Sequence, residues 1–205
     1  YVYYINYCIV FDSYNRSGPF IFNSEYACKF GNDVQRGTLL SAIAEAAYMT
    51  GLERNSDIVK MASYAPLATH VSGDLWEPNA INFNSSVAFG RPSYWVQYMF
   101  MNAQTNIIPS THKSIDVHHQ MNNHGNLTYT MSATIGQTID PLIPYRIIIK
   151  LSHWNTISLQ LTIYMKHFQS QYPNLSINTI GELTILTHQQ ANATNTLDEP
   201  TNEIP

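Results

Sequence analysis

The chain has 205 residues, 44% hydrophobic and 12% charged, which is enough apolar material for the core of one large domain or two small ones. Its formal charge of −4, with ten Lys and Arg scattered along the chain, argues against a nucleic-acid partner. No apolar run reaches the length of a membrane span, so no membrane partner is expected.

Polar composition and glycosylation motifs indicate a secreted protein. Charge is low, whereas Asn, Ser, Thr and Tyr are frequent. N-glycosylation acceptor sequences begin at Asn15, Asn84, Asn126, Asn174 and Asn192. The chain opens YVYYINYCIV, without Met or a signal peptide, and we expect either a trimmed mature protein or part of a longer chain. Cys8 and Cys28 fit either a disulfide in an oxidising compartment or two buried thiols.

Strands and helices alternate in the first half, which is typical of an α/β fold. Phe20-Ile21-Phe22 is a brief strand. A helix is predicted over 37–50, because its apolar residues share one face and Gly51 is placed as a C-terminal stop. Asn55-Ser56-Asp57 can cap a second helix, predicted over 56–64.

A further strand and helix follow before the pattern changes. AINFNSS at 80–86 predicts a short strand, and Pro92 lies in the first turn of a helix predicted over 92–101. The helical pattern ends near residue 105, so residues 1–105 are predicted to form the first domain.

Apolar and polar residues alternate in the second half, which predicts antiparallel strands. The segments are LTYTMSA at 127–133, YRIIIKL at 145–151, ISLQLTIY at 157–164 and LTIL at 183–186, with a hairpin turn at His153-Trp154-Asn155. YRIIIKL is almost continuously apolar, which favours a central strand. These segments predict a β-sandwich over 106–190 and a loose polar tail over 191–205.

Two polar segments are candidate sites. In IFNSEYACK a strand that begins apolar ends on one carboxylate, Glu25, which is either a nucleophile or base or a solvated strand end. The loop DVHHQMNNHG holds Asp116, His118, His119 and His124, whose spacing allows a metal site. A solvated loop is the favoured interpretation of this segment, and no metal site is predicted.

Residues 24–97 resemble a known enzyme family. The stretch SEYACKFGNDVQRGTLLSAIAEAAYMTGLERNSDIVKMASYAPL is similar to the C-terminal part of the catalytic domain of plant α-L-arabinofuranosidases of glycoside hydrolase family 51. WEPNAINFNSS and GRPSYWVQ follow in the family's order and at about its spacing. The resemblance implies α/β plus all-β classes: the last part of a (β/α)8 barrel, then an antiparallel β-sandwich of jelly-roll type.

The resemblance also implies roles for single residues. The Glu of the SEY motif is the family's catalytic nucleophile, and Glu25 stands at that position. A retaining glycosidase needs a second carboxylic acid about 5–5.5 Å away. In the family that acid follows an Asn on an earlier strand, and the one Asn-Glu pair here, Asn202-Glu203, lies in the tail, so the role is not carried over. The substitutes to consider are Asp33, Asp74 and Glu77.

Aromatic residues near these motifs are candidate sugar contacts. Trp76 and Tyr26 are the predicted substrate-binding residues, while Tyr94 and Trp95 fit a subsite or the core. Asn84 and Ser85 are expected at the same rim as Glu25. No cofactor is implied.

Two functions follow from these features. The first is a retaining glycoside hydrolase that releases terminal α-L-arabinofuranosyl groups from an arabinose-containing cell-wall polysaccharide, with the missing N-terminal part of its own precursor as a further partner. The alternative is a non-catalytic carbohydrate-binding, storage or inhibitor-like secreted plant protein. The expected location is extracellular, in the cell wall or in a seed storage compartment. We expect the chain alone to be inactive, because it lacks the acid/base Glu.

Overall fold

The structure is a computed structural model that describes residues 6–29, 37–73, 77–104, 107, 113–115, 128–154, 159, 181–196 and 198. After a short 3-10 turn at Asn6–Ile9, its elements are β1 (Ile21–Tyr26), α1 (Leu39–Arg54), β2 (Val59–Tyr64), β3 (Ala68–His70), β4 (Ile81–Phe83), β5 (Ala88–Gly90), α2 (Pro92–Asn102), β6 (Lys113–Ile115), β7 (Tyr129–Gln137) and β8 (Tyr145–His153). Neither helix in these ranges has the length and apolar character needed to cross a membrane.

β1, α1 and β2 form a parallel βαβ unit. β1 pairs with β2 in parallel, from Ile21 opposite Val59 to Tyr26 opposite Tyr64. Parallel neighbours need a crossover connection, and α1 supplies it. The unit matches the α/β pattern predicted for the first half.

The predicted helix over 56–64 is wrong, because most of this segment is strand β2. Asn55 closes α1 instead of opening a new helix: its backbone N–H and its side-chain Nδ2 both donate to the carbonyl oxygen of Gly51. The carbonyl oxygen of Asn55 then accepts the N–H groups of Ile58 and Val59, which turns the chain into β2. Pairing with β1 overrides the local helical signal.

The first helix is longer than predicted and continues past Gly51 to Arg54. A Cβ atom on Gly51 would lie 2.0 Å from the carbonyl oxygen of Cys8 in the 3-10 turn. This glycine therefore allows two backbones to approach closely and does not end the helix.

The next strands belong to a separate sheet. β3 is parallel to β4, and β4 forms an antiparallel hairpin with β5. In the turn between β4 and β5, the Oδ1 atom of Asn84 accepts the N–H groups of Ser86 and Val87, both at 2.8 Å. The predicted strand over 80–86 thus ends at Phe83. Asn84 and Ser85 form this turn, in a sheet that is not hydrogen-bonded to β1, and the rim that they are expected to share with Glu25 stays a prediction. α2 begins at Pro92 as predicted.

The second half contains the predicted antiparallel sheet, in the order β6-β7-β8. β7 and β8 pair without interruption from Tyr129 opposite His153 to Gln137 opposite Tyr145. Their polar face packs on α1, where Thr50 donates to the hydroxyl of Thr130 at 3.0 Å and Ser152 donates to the Ile43 carbonyl at 2.7 Å.

Other predictions for this half have mixed outcomes. The segment LTIL is not a strand, and its Leu183 and Ile185 side chains are 80% and 61% exposed. β8 ends at His153, and Trp154 packs against the cluster of Cys8 and Ala47. The rest of the predicted hairpin turn, from Asn155 onward, lies outside the described residues. The segment 157–164 lies outside the described residues, except for position 159.

The beginning of the predicted loose tail is packed against α1. The carbonyl oxygens of Ala193 and Ala191 accept the N–H groups of Leu39 and Leu40, both at 2.9 Å. These are first-turn N–H groups, which have no partner inside a helix. Asn195 is 3% exposed and donates to the Gly90 carbonyl at 2.6 Å. This stretch therefore differs from a loose tail.

Candidate active site at the strand ends

Glu25 lies at the carboxyl end of β1 and faces solvent. The β1–β2 register shifts between Asn23 and Tyr26, and both intervening residues, Ser24 and Glu25, are exposed. Strict alternation would turn one of the two inward, so the irregularity explains why both point out. The Glu25 side chain has no hydrogen bond or ion pair with any of the described residues.

A layer of tyrosines lies beneath this strand end. The Tyr26 ring contacts Tyr48 and Tyr64 at centroid distances of 5.5 and 5.7 Å. Burial raises the pKa of Tyr26 and Tyr64 above the ordinary tyrosine value, which keeps both hydroxyls protonated as donors. Tyr26 donates to the Oε1 atom of Gln97 at 2.7 Å. Its hydroxyl is therefore engaged with α2, although the sequence predicted it as a substrate contact.

Glu45, in the middle of α1, is the buried carboxyl of the site and is 2% exposed. Its Oε1 atom accepts the backbone N–H of Cys28 at 2.9 Å and the hydroxyl of Tyr64 at 3.2 Å. Burial raises the pKa of Glu45 to about 7. The Cys28 N–H, Ser93, Tyr64 and Arg91 act in the opposite direction.

Sequence reasoning missed Glu45, although a signal was present. It is the one charged residue between positions 37 and 52, in a segment of small and apolar residues. A lone carboxyl in such a helix must be either exposed or hydrogen-bonded in the interior.

Glu77, a sequence candidate for a second carboxyl, is held by an arginine. Arg91 Nη1 lies 2.5 and 2.7 Å from the two carboxylate oxygens, with the side chains 9% and 17% exposed. The other candidates, Asp33 and Asp74, lie outside the described residues, as does Trp76.

The aromatic residues of α2 form a cluster of their own. Tyr94 and Trp95 pack edge to face at 5.1 Å, and Tyr98 contacts both rings. These contacts favour the packing alternative over a sugar subsite for Tyr94 and Trp95.

The remaining sequence candidates are distributed over the surface or lie outside the described part. Asn15 and Asn192 are exposed, and Asn84 is half-buried in its hairpin turn. Asn126 and Asn174 lie outside the described residues, as do Asp116 and the histidines near it. Within the described ranges, no three His, Cys, Asp or Glu residues are grouped as metal ligands. Cys8 and Cys28 are both buried thiols, and burial raises the pKa of Cys8 to about 11.

Comparisons with known proteins agree on one family. The family model for the α-L-arabinofuranosidase C-terminal domain matches residues 21–205. α-L-arabinofuranosidase 1 of Arabidopsis thaliana is 56% identical over 90 residues, which are 44% of this chain and 13% of that protein. The extracellular exo-α-L-arabinofuranosidase of Streptomyces chartreusis is 44% identical over 101 residues, which are 49% of this chain and 12% of that protein. The chain thus matches only about an eighth of the length of these relatives.

A solved structure shares the fold. The arabinose-bound MgGH51 α-L-arabinofuranosidase superposes with a TM-score of 0.52 at 22% identity, covering 75% of this chain and 32% of that chain.

Proposed function

Because the chain belongs to the α-L-arabinofuranosidase C-terminal domain family, we propose that it carries the nucleophile of a retaining glycoside hydrolase. The substrate class is terminal α-L-arabinofuranosyl groups of cell-wall polysaccharides, and the nucleophile is Glu25. The observation that carries this proposal is an exposed carboxylate at the carboxyl end of a strand in a parallel βαβ unit. Barrel enzymes hold their catalytic residues at this end of the strands.

The chemistry needs one ionised and one protonated carboxyl group. The Glu25 carboxylate attacks the anomeric carbon, the bond to the leaving oxygen breaks, and a glycosyl ester forms that water then hydrolyses. The leaving oxygen takes its proton from a second residue. Of the carboxyl groups described near the strand ends, Glu45 is buried and Glu77 is paired with Arg91. We therefore assign the acid to the upstream part of a longer precursor.

Exposed apolar side chains support the barrel assignment. Phe22 and Met61 are opposite each other in β1 and β2, and are 57% and 61% exposed. Parallel sheets are normally covered on both faces. We propose that the remaining strands of a (β/α)8 barrel cover this face, and that the antiparallel sheet belongs to a jelly-roll-like sandwich.

Secretion is part of the proposal. The Streptomyces chartreusis relative is named an extracellular enzyme, and the acceptor residues Asn15 and Asn192 are exposed. A plant cell wall is the location that fits the substrate class.

Substitution of the nucleophile is the direct test. Glu25→Gln preserves shape and removes the attacking charge, so hydrolysis of an aryl α-L-arabinofuranoside by the active protein that contains this chain should fall by several orders of magnitude. Glu182→Gln, at an exposed site far along the chain, is the matched control and should leave the rate unchanged. Near wild-type turnover by Glu25→Gln would remove Glu25 from the mechanism.

A non-catalytic carbohydrate-binding protein is the second candidate. It is favoured by one observation, that Glu45 and Glu77 are both engaged and offer no acid beside Glu25. Binding of arabinoxylan that is equal in wild type and Glu25→Gln, without any covalent adduct, would support this alternative.

A further inference from the structure

One buried carboxyl joins the three elements that surround the candidate nucleophile. Glu45 lies on α1, and its Oε1 atom accepts hydrogen bonds from the end of β1, through the Cys28 N–H, and from the end of β2, through the Tyr64 hydroxyl. We propose that Glu45 is the positioning residue of the site, which fixes the β1 end that presents Glu25 against β2 and α1. The catalytic meaning of this role rests on the proposed function.

The geometry links Glu45 to Glu25 by a short path. Cys28 follows Glu25 by three residues, so its N–H anchors the segment at the point where β1 leaves the sheet. Tyr64 is the β2 residue opposite Tyr26, and their rings are in edge-to-face contact. A single oxygen thus ties both strand ends to the helix that connects them.

A purely space-filling role does not explain a carboxyl here. Burying such a group is unfavourable unless it makes hydrogen bonds. Oε1 accepts two hydrogen bonds, whereas Oε2 is buried and has no hydrogen-bond partner among the described residues. The group is therefore kept as an acceptor, and its second oxygen can carry a proton.

The charge state of Glu45 responds to groups on each neighbouring element. Tyr26 of β1 and Tyr64 of β2 face it with neutral hydroxyls, while the residues at the beginning of α2, Arg91 and Ser93, favour its ionised form. An ionised acceptor makes the stronger hydrogen bond to an N–H group. The hydrogen bond from Cys28 favours the ionised form, but the cost of burying the charge is larger, so the closed arrangement at the end of β1 weakens as pH rises towards 7.

Amide hydrogen exchange at Cys28 tests the positioning role without any need for activity. In the 205-residue chain, Glu45→Ala should lower the protection of this amide on the order of ten- to a hundredfold, because it loses a hydrogen bond to a charged group. Glu45→Gln keeps an acceptor oxygen and should restore most of the protection. Glu182→Gln, which changes an exposed carboxyl far along the chain, is the matched control and should leave this protection unchanged.

The pH dependence separates positioning from mere filling of space. Wild-type protection at Cys28 should fall as pH rises through about 7, because opening of this segment returns Glu45 to its lower, ordinary pKa, whereas Glu45→Gln should show no such fall. Unchanged protection in Glu45→Ala would overturn the proposal. The same pH dependence in wild type and Glu45→Gln would also overturn it.

Covalent labelling connects the role to Glu25. With 2,4-dinitrophenyl α-L-arabinofuranoside, Glu25 displaces the phenolate, which leaves with the bonding electrons, and an arabinosyl ester remains. The rate should show an inflection near pH 7 in wild type and in Glu182→Gln, but not in Glu45→Gln. Loss of the inflection in the Glu182 variant would contradict the assignment to Glu45. Absence of labelling in wild type would count against Glu25 as nucleophile, and exchange at Cys28 would still decide the role of Glu45.

Discussion

Several residues of this chain are explained by what lies directly against them. Gly51 lies in the last turn of α1, inside a helix where glycine is normally unfavourable, because the carbonyl oxygen of Cys8 occupies the space that a side chain would need. Asn55 is fully buried because Arg16 and Asp12 satisfy its side-chain amide. Neither role is visible in the local pattern, since the partners are about 40 residues away.

Gly51→Ala should destabilise the fold, although alanine is the better helix former. The added Cβ meets backbone 2.0 Å away, and the forced shift of the 3-10 turn should lower the free energy of unfolding by about 1–3 kcal/mol. Urea denaturation measures the change. Gly181→Ala is the matched control, since a Cβ there meets no atom within 4 Å. A variant at Gly51 as stable as wild type would contradict the close approach.

The pKa of Glu45 predicts a pH-dependent stability. Its folded-state value of about 7 exceeds the ordinary 4.5, so between these values the folded chain binds more protons than the unfolded chain. The contribution of Glu45 is therefore fully present below about pH 4.5 and is lost as pH rises through 7. Glu45→Gln removes this loss, and its stability relative to wild type should increase between pH 5 and 8, by at most on the order of 3 kcal/mol. Urea denaturation of both proteins at pH 5 and at pH 8 measures this difference in stability. A difference that is the same at the two pH values would contradict the raised pKa.

At the scale of elements, a network of polar side chains joins the helices to the antiparallel sheet. Lys150 of β8 pairs with Glu53 of α1, and Ser132 of β7 donates to the same carboxylate at 2.6 Å. Lys150 also donates to the Phe100 carbonyl of α2 at 3.1 Å. Burial lowers the pKa of Lys150, and the charge and hydrogen bond of the Glu53 carboxylate oppose this shift.

Lys150→Met should be strongly destabilising, because it leaves the Glu53 carboxylate partly buried without its cation. Loss of one partner from such a pair should lower the free energy of unfolding by about 3 kcal/mol. Asp57→Asn is the matched control. Its ion pair with Arg16 has side chains 54% and 40% exposed, and such pairs contribute less than about 1 kcal/mol. Equal effects of the two substitutions in urea denaturation would contradict the role of the network.

Elements with strong local periodicity could be predicted from the sequence. The alternation of LTYTMSA predicted β7, the almost continuously apolar run YRIIIKL predicted β8, and Pro92 predicted the start of α2. The segment 56–64 could not be predicted, because the same short polar residues can begin a helix or close one. The choice depended on pairing with β1.

Only part of the candidate site could be singled out from the sequence, because its other contacts depend on the tertiary fold. Glu25 could be singled out because it ends an apolar strand and lies in a motif of a known family. Glu45 could not be paired with Cys28 and Tyr64, since these contacts depend on how the βαβ unit closes. The packing of 191–195 on α1 also depends on distant partners, namely the first-turn N–H groups of the helix.

At the scale of the whole molecule, the β7–β8 and β1–β2 sheets differ in how their side chains are covered. The β7–β8 sheet presents polar side chains to α1, and the contact is held by hydrogen bonds. The β1–β2 sheet instead leaves the side chains of Phe22 and Met61 exposed. In the longer protein that we propose, the strands that cover these side chains would also bring an acid next to Glu25, so stability and catalysis would depend on the same strands.

Covalent trapping of the purified 205-residue chain tests the central claim most directly. Because the proposed mechanism takes its acid from outside this chain, departure of an unactivated leaving group and hydrolysis of the ester should both be slow, since such assistance contributes about 10² to 10⁴ in rate. With 2,4-dinitrophenyl α-L-arabinofuranoside, mass spectrometry should therefore find one arabinosyl group, on the peptide that contains Glu25, and no steady release of arabinose from arabinoxylan. An arabinosyl group on another residue, or steady arabinose release by this chain alone, would contradict the account.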